Sequence, residues 1–367
     1  VRTMPVLSVW YAYALLGCGS MEASEARLKD AERWLKPAAN VVEQPDTPSD
    51  KMIVVDEEQF RSLPAIIAMA RAYGAQALGD VPGAVSYASL VLDLVPEEDH
   101  FRHDQAKTLL GLTYWSNGDL DAANRIFADY TLKLRTTGNI AHAISATFVL
   151  ADIRMALGHL HEAASTLEQL LRLVVDHGEP LPPDTAELYR GLSELHRERG
   201  DLITARQRLL KSKELSPRST LVDWQHRLCL AEARLKQSQG DLDGALNVLD
   251  DAERYSIRSP LPDASPIAAL RARIWVAQGK LAQAIAWAHE RGLSAADQTS
   301  YLREFEHMTL VRLMIARHKI DPVKDVFHEA LDLLERLLQA AEIGGRIRSM
   351  IEILVLQALA YAAQNNH

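Results

Sequence analysis

The chain has 367 residues, 48% apolar and 24% charged, and its 40 Lys and Arg against 49 Asp and Glu leave a net charge of -9. Such length and composition exclude a disordered chain or a disulfide mini-protein, and leave several domains or one long modular array. An acidic balance lacks the cationic field that neutralising phosphates requires, so no direct nucleic-acid contact is expected of these residues. Two cysteines, Cys18 and Cys229, suit a reducing cytoplasm. No apolar run is read as reaching the ~18–20 residues that span a bilayer, so no membrane contact is expected.

At the N-terminus Arg2 precedes an apolar run, Val6 to Leu16, that closes on Leu15-Leu16-Gly17-Cys18. A secreted lipoprotein's cleavage box has this outline, but the run reads better as a buried first helix ending in a degenerate turn, Gly19-Ser20-Met21 with Ser24. A chain opening on Val1 is expected to be an excised fragment. From Lys36 to Asp56, with Pro37, Pro45 and Pro48, an exposed loop between repeats is expected.

A single unit then recurs: Gly, a polar residue, an aliphatic residue, two variable residues, Ala. It reads Gly79-Asp80-Val81 to Ala84, Gly118-Asp119-Leu120 to Ala123, Gly158-His159-Leu160 to Ala163, Gly200-Asp201-Leu202 to Ala205, Gly240-Asp241-Leu242 to Ala245 and Gly279-Lys280-Leu281 to Ala284. Successive glycines stand 39, 40, 42, 40 and 39 residues apart, and a degenerate copy follows at His318-Lys319-Ile320 with Val323. Glycine takes the left-handed conformation that closes one helix, and the following Asp caps the next. The residue seven before each turn is small (Ala72, Gly111, Ala151, Ser193, Ala233, Ala272), as close approach of two helix backbones requires. Linkers at Val95 to Glu98, Gly178 to Pro183, Ser216-Pro217 and Ser259 to Pro262 end the second helices. A last first-type helix is expected over Ile351 to Gln364, with Asn365 at the turn position and its partner helix missing.

No such pair buries its apolar stripe alone, so neighbours must stack. The expected fold is all-α: a right-handed superhelical solenoid of about eight antiparallel helix pairs, tetratricopeptide-like with a repeat near 40 residues, forming a single array over 1–367.

Catalytic signatures fail residue by residue. Gly279-Lys280 lacks the rest of a phosphate loop, and Gly191-Leu192-Ser193-Glu194-Leu195 ends in leucine where a nucleophile elbow needs glycine. His161-Glu162 and His328-Glu329 are followed by Ser165 and Asp332 where a zinc helix needs its second histidine. His100 and His103, with Asp99 and Asp104, read as a solvated linker with no further ligand spaced to close a metal site. No enzyme, metal or cofactor is expected.

Recognition chemistry is richer. In tetratricopeptide-like arrays the position six before the turn glycine points into the groove; here it holds Tyr73, Leu112, Asp152, Glu194, Arg234, Arg273 and Arg312. Arg234, Arg273 and Arg312 would form a guanidinium ladder beside the acids Asp152 and Glu194, suited to a carboxylate, a phosphate or an acidic partner helix. The alternative is that each arginine pairs with a nearby acid, Arg234 with Glu194 for example. Trp115 and Tyr189 are candidate aromatic anchors near the same wall, Trp115 being the one expected to lie open; Trp275 reads as packing.

The run Leu188 to Leu210 (LYRGLSELHRERGDLITARQRLL) and the run Leu338 to Tyr361 resemble the tetratricopeptide-like sensor region of bacterial MalT-type transcription activators, large ATP-binding regulators with a LuxR-type DNA-binding domain. The resemblance implies a cytoplasmic regulatory segment that receives a small-molecule effector or a regulatory protein and alters self-association. Neither the ATPase nor the DNA-binding module lies in these residues. A constitutive scaffold or lipoprotein that only holds protein partners is the alternative.

Overall fold

A computed structural model describes residues 3–35, 52–176, 178, 180–321 and 324–365. Among the described residues the chain is all helical, with seventeen α-helices and no strand, and its adjacent helices pack as antiparallel pairs of a tetratricopeptide-like solenoid. Two compact units are present: Val1–Thr113 with Ile257–Pro262, and Tyr114–Ser256 with Asp263–His367.

The first unit holds α1 (Pro5–Gly17), α2 (Met21–Glu32), α3 (Glu57–Ala77), α4 (Val81–Leu94) and most of α5 (His100–Ser116). The apolar N-terminal run is indeed a helix that buries Val9, Ala12 and Leu16 against α2 and α3. Of the loop expected over Lys36 to Asp56, residues 36–51 lie outside the described residues. Asp56 ends it by accepting the Gln59 amide at 3.0 Å, which starts α3. Asp99, proposed beside His100 and His103 as a weak metal reading, accepts the Arg102 amide at 3.1 Å, and His103 Nε2 sits 3.0 Å from the Val95 carbonyl.

The second unit continues with α6 (Leu120–Thr136), α7 (Ile140–Leu157), α8 (Leu160–Asp176), α9 (Thr185–Glu198), α10 (Leu202–Leu215), α11 (Trp224–Ser238), α12 (Leu242–Arg254), α13 (Ile267–Ala277), α14 (Leu281–Glu290), α15 (Tyr301–His318), α16 (Lys324–Ile343) and α17 (Ile347–Asn365). The repeat turns form as their residues dictate. Asp119, Asp201 and Asp241 each accept the amide three residues on at 2.9–3.0 Å, leaving fewer orphan N–H groups at the helix start. At the small position of α9, Ser193 is buried and its Oγ donates to the Ala205 carbonyl of α10 at 2.8 Å, so the contact that brings the two helices close is also hydrogen-bonded. Leu167, Leu170, Leu188, Leu192 and Leu195 form the densest part of this core, each at most 1% exposed. Each such leucine contributes roughly 1.5–3 kcal/mol by burial.

One expectation needs correction: Ile140–Leu157 is long and apolar enough to cross a membrane by length and composition. Its apolar surround has another cause, because most of α7 is buried between α6, α8 and α9. α17 also begins four residues earlier than expected and packs on α15, α16 and, across the unit, α7. The second unit thus folds back on itself.

Candidate functional site

The first-type helices α7, α9, α11, α13 and α15 turn one face to the inside of the second unit, and charged side chains from successive repeats meet there. Its deep end is a buried triad. Glu187 accepts from Arg190 Nε at 2.7 Å and lies 2.8 Å from Arg227 Nη2. Arg227 rests on the Phe148 ring, its guanidinium carbon 3.8 Å from the centroid. Burial pushes the Glu187 carboxyl up, but Arg227 and Arg190 outweigh it and hold it below the ordinary carboxylate range. Asp152 joins this end, 3.4 Å from Arg190 Nη2.

Further along, five arginines share three carboxylates. Glu194 accepts from Arg197 at 2.9 Å and lies 3.7 Å from Arg234. Glu198 accepts from Arg348 at 2.8 Å and from Arg197. Glu352 is 2.7 Å from Arg273 and 3.0 Å from Arg312. Arg273 also donates to Thr309 Oγ1 at 3.0 Å and stacks 3.6 Å over the Phe305 ring.

The electrostatic consequence shows in the arginines themselves. Desolvation holds Arg234 below its ordinary value, and although Glu194 opposes this, the positive neighbours Arg197, Arg348 and Arg190 add to it; the side chain is nonetheless 26% exposed. Arg273 is pushed down to about 10, by desolvation first and then by Arg312 and Arg348 against the pull of Glu352. Asp263 is exposed, and burial still pushes its carboxyl up. Among the described residues the buried Nε atoms of Arg197, Arg227 and Arg312, and the buried Oε1 of Glu194, have no hydrogen-bond partner.

The residues singled out from the sequence separate here. Arg234, Arg273, Arg312, Glu194 and Asp152 all reach this inner wall, though not as two facing ladders: Arg273 and Arg312 share an acid from α17, and Asp152 serves Arg190. Trp115, expected to lie open, is 7% exposed, because Tyr301 of α15 comes over it and takes its indole N–H at 2.9 Å. Tyr189 is half-buried against the α6–α9 core, Tyr73 packs against the core of the first unit, and Trp275 packs against the C-terminal core.

Seven charged partners escaped sequence reasoning: Glu187, Arg190, Arg197, Glu198, Arg227, Arg348 and Glu352. A signal for three of them was present. Glu187 and Arg227 stand one heptad before Glu194 and Arg234, hence two turns along the same face, and Glu352 holds the same register against Asn365.

Over residues 65–367 the sequence matches the family described as the MalT-like TPR region. Two solved structures share the fold at low identity. One is a Rap protein complexed with competence and sporulation factor: 12% identity, TM-score 0.51, covering 99% of this chain and 99% of that one. The other is the Rap conjugation gene regulator of the plasmid pLS20 in complex with the Phr* peptide: 13% identity, TM-score 0.55, covering 94% of this chain and 97% of that one. No curated protein matches the sequence.

Proposed function

The chain belongs to the MalT-like TPR region family, and from that premise we propose that it is a non-enzymatic recognition module of a bacterial, cytoplasmic transcription regulator. The arginine-rich inner wall of the second unit takes a small effector or a partner segment and biases assembly of the regulator. The observation that carries this reading is the sharing of three carboxylates among five arginines, of which Arg234, Arg312 and Arg348 keep 26%, 33% and 49% of their side chains exposed. The two Rap structures, complexed with a signalling factor and with a peptide, support a partner segment. To shift a two-state assembly the ligand must bind the states unequally.

Thermal shift of the whole chain against a panel of metabolites and peptides tests this, since a ligand bound to the native state raises the midpoint by mass action. Replacing Arg234 and Arg273 by Glu is expected to abolish the shift with helical content unchanged by circular dichroism. A shift that survives the double substitution removes these arginines from the binding account.

A second reading, a scaffold that self-associates without a ligand, is favoured by one specific observation. Ile347, Ile351, Leu354, Val355, Leu359 and Tyr361 of α17 are 42–59% exposed. Sedimentation as a function of concentration, with Ile351 and Val355 replaced by Ser, separates it from the first.

A further inference from the structure

A cleft of about 520 Å³ opens where three segments of the second unit meet: residues 117–121 at the turn between α5 and α6, residues 299–304 at the start of α15, and residues 340–346 at the end of α16 and the turn after it. That volume falls in the ~300–1,000 Å³ range of small-molecule sites. Its lining shares no residue with the charged groups of the inner wall.

The floor of the cleft is a buried ion pair that satisfies itself. Glu304 and Arg346 are 4% and 5% exposed; Glu304 Oε2 accepts from Arg346 Nε at 3.1 Å and from Nη2 at 2.8 Å, and its Oε1 accepts from Ser349. Two glycines make room for this pair. A Cβ at Gly344, whose backbone is not left-handed, would collide with Arg346 Nη1 and stand 3.1 Å from the Gly118 carbonyl, and a Cβ at Gly118 would stand 2.9 Å from Tyr301 Cβ.

What the floor leaves over is negative. With Arg346 offset by Glu304, the lining carboxylates Asp119 and Asp121 give the cleft two net negative charges. Asp119 spends one oxygen on capping the Ala122 amide, at 3.0 Å. Asp121 holds the same register in its repeat as Asp243 in the copy that begins at Gly240. Asp243 is satisfied by the next repeat, through Gln278 at 2.8 Å and Lys280 at 3.9 Å, whereas Asp121 is exposed and has no ion pair among the described residues. Ile343 lines the same cleft and is 82% exposed. Among the described residues no three acids, histidines or cysteines stand close enough to hold a metal ion, so separate carboxylates beside an apolar side chain match an organic cation better than a bare divalent ion.

We propose that this cleft binds a small aliphatic diamine, its ammonium groups taken by Asp121 and Asp119 and its methylene chain lying on Ile343. The proposal does not rest on the reading of the inner wall, and either can fail without the other.

Isothermal titration of the full chain with 1,5-diaminopentane at low ionic strength tests it. Saturable binding that weakens as salt is raised is expected. Asp121→Asn is expected to weaken it about tenfold, the loss of one charge-assisted contact, and Ile343→Ser about threefold through lost apolar contact, while Asp243→Asn, at the same register of another repeat, leaves it unchanged. Asp121 and Ile343 are exposed, so both variants keep the fold, which circular dichroism checks. Absence of saturable binding, or binding untouched by Asp121→Asn, overturns the proposal. Equal binding of 1,5-pentanediol overturns the cationic chemistry, and displacement by magnesium chloride at matched ionic strength overturns the organic cation in favour of a metal. Tighter binding of an end-blocked tripeptide, Ala-Lys-Ala, overturns the free amine in favour of a lysine side chain.

Discussion

Trp115 Nε1 donates to the phenol oxygen of Tyr301 at 2.9 Å, so the end of α5 is fastened to the first residue of α15. The turn at Gly118 reinforces this: Arg346, which bonds Glu304 at 2.8 Å, also reaches the Gly118 carbonyl at 3.5 Å. Burial pushes the Tyr301 hydroxyl up to about 12, partly offset by the Trp115 hydrogen bond, so the bond is intact throughout the neutral range. Tyr301→Phe removes the acceptor and leaves a buried indole N–H, at a cost of about 1–3 kcal/mol. Urea unfolding of the second unit is expected to show it as a lower midpoint at unchanged slope.

Two turn glycines with the same backbone should respond differently to the same substitution. Gly158 and Gly200 have φ of 84° and 77°, so alanine at either costs about 1–2 kcal/mol of left-handed strain. At Gly158, however, an added Cβ would stand 2.9 Å from Ile347 Cβ, whereas at Gly200 nothing lies within 4 Å. Gly158→Ala is therefore expected to be the more destabilising by denaturant titration. Equal costs would mean that the start of α17 does not pack on the turn between α7 and α8.

The pH response follows from groups whose native values are displaced. Burial holds the His307 imidazole below its ordinary 6.5, more than Asp297 can raise it. The unfolded chain then binds a proton that the native chain resists, so stability falls as pH drops below about 6.5. Thermal midpoints across that range are expected to decline, and His307→Gln to flatten the decline. Further down, Glu187, Glu194 and Glu352 are displaced in the same direction and act to the same end. Each is held below 4.5 by arginines despite its burial, and the stability each contributes is lost as pH falls from about 4.5 through its lower native value.

What was legible in the sequence is what local chemistry decides. A glycine at φ near 80°, an aspartate capping the amide three residues on, and a small residue where two helices touch each need a particular residue type at a particular spacing, so the helix pairs are legible in the sequence alone. Arg234, Arg273 and Arg312 were placed on the inner wall by the same register. Their partners were not, because Glu352 and Arg348 arrive on α17, and how far the array winds before α17 meets α7 is set by small rotations at every interface rather than by any one residue. Trp115 was misjudged for the same reason, since its cover comes from α15.

The buried triad is held together more tightly than the rest of the inner wall. Glu187, Arg190 and Arg227 are 3%, 5% and 9% exposed, and the carboxylate is ion-paired with both guanidinium groups. Glu187→Gln removes the acid that both buried cations share and leaves only the longer contacts of Arg190 to Asp152 at 3.4 Å and of Arg227 to Asp223 at 4.0 Å, a loss expected at about 3 kcal/mol in urea unfolding. Arg227→Met keeps an apolar contact with Phe148 and leaves Glu187 paired with Arg190, so it should cost less. Arg234 is the contrast: its side chain is 26% exposed and 3.7 Å from Glu194, which already accepts from Arg197, so Arg234→Gln should change the unfolding midpoint little.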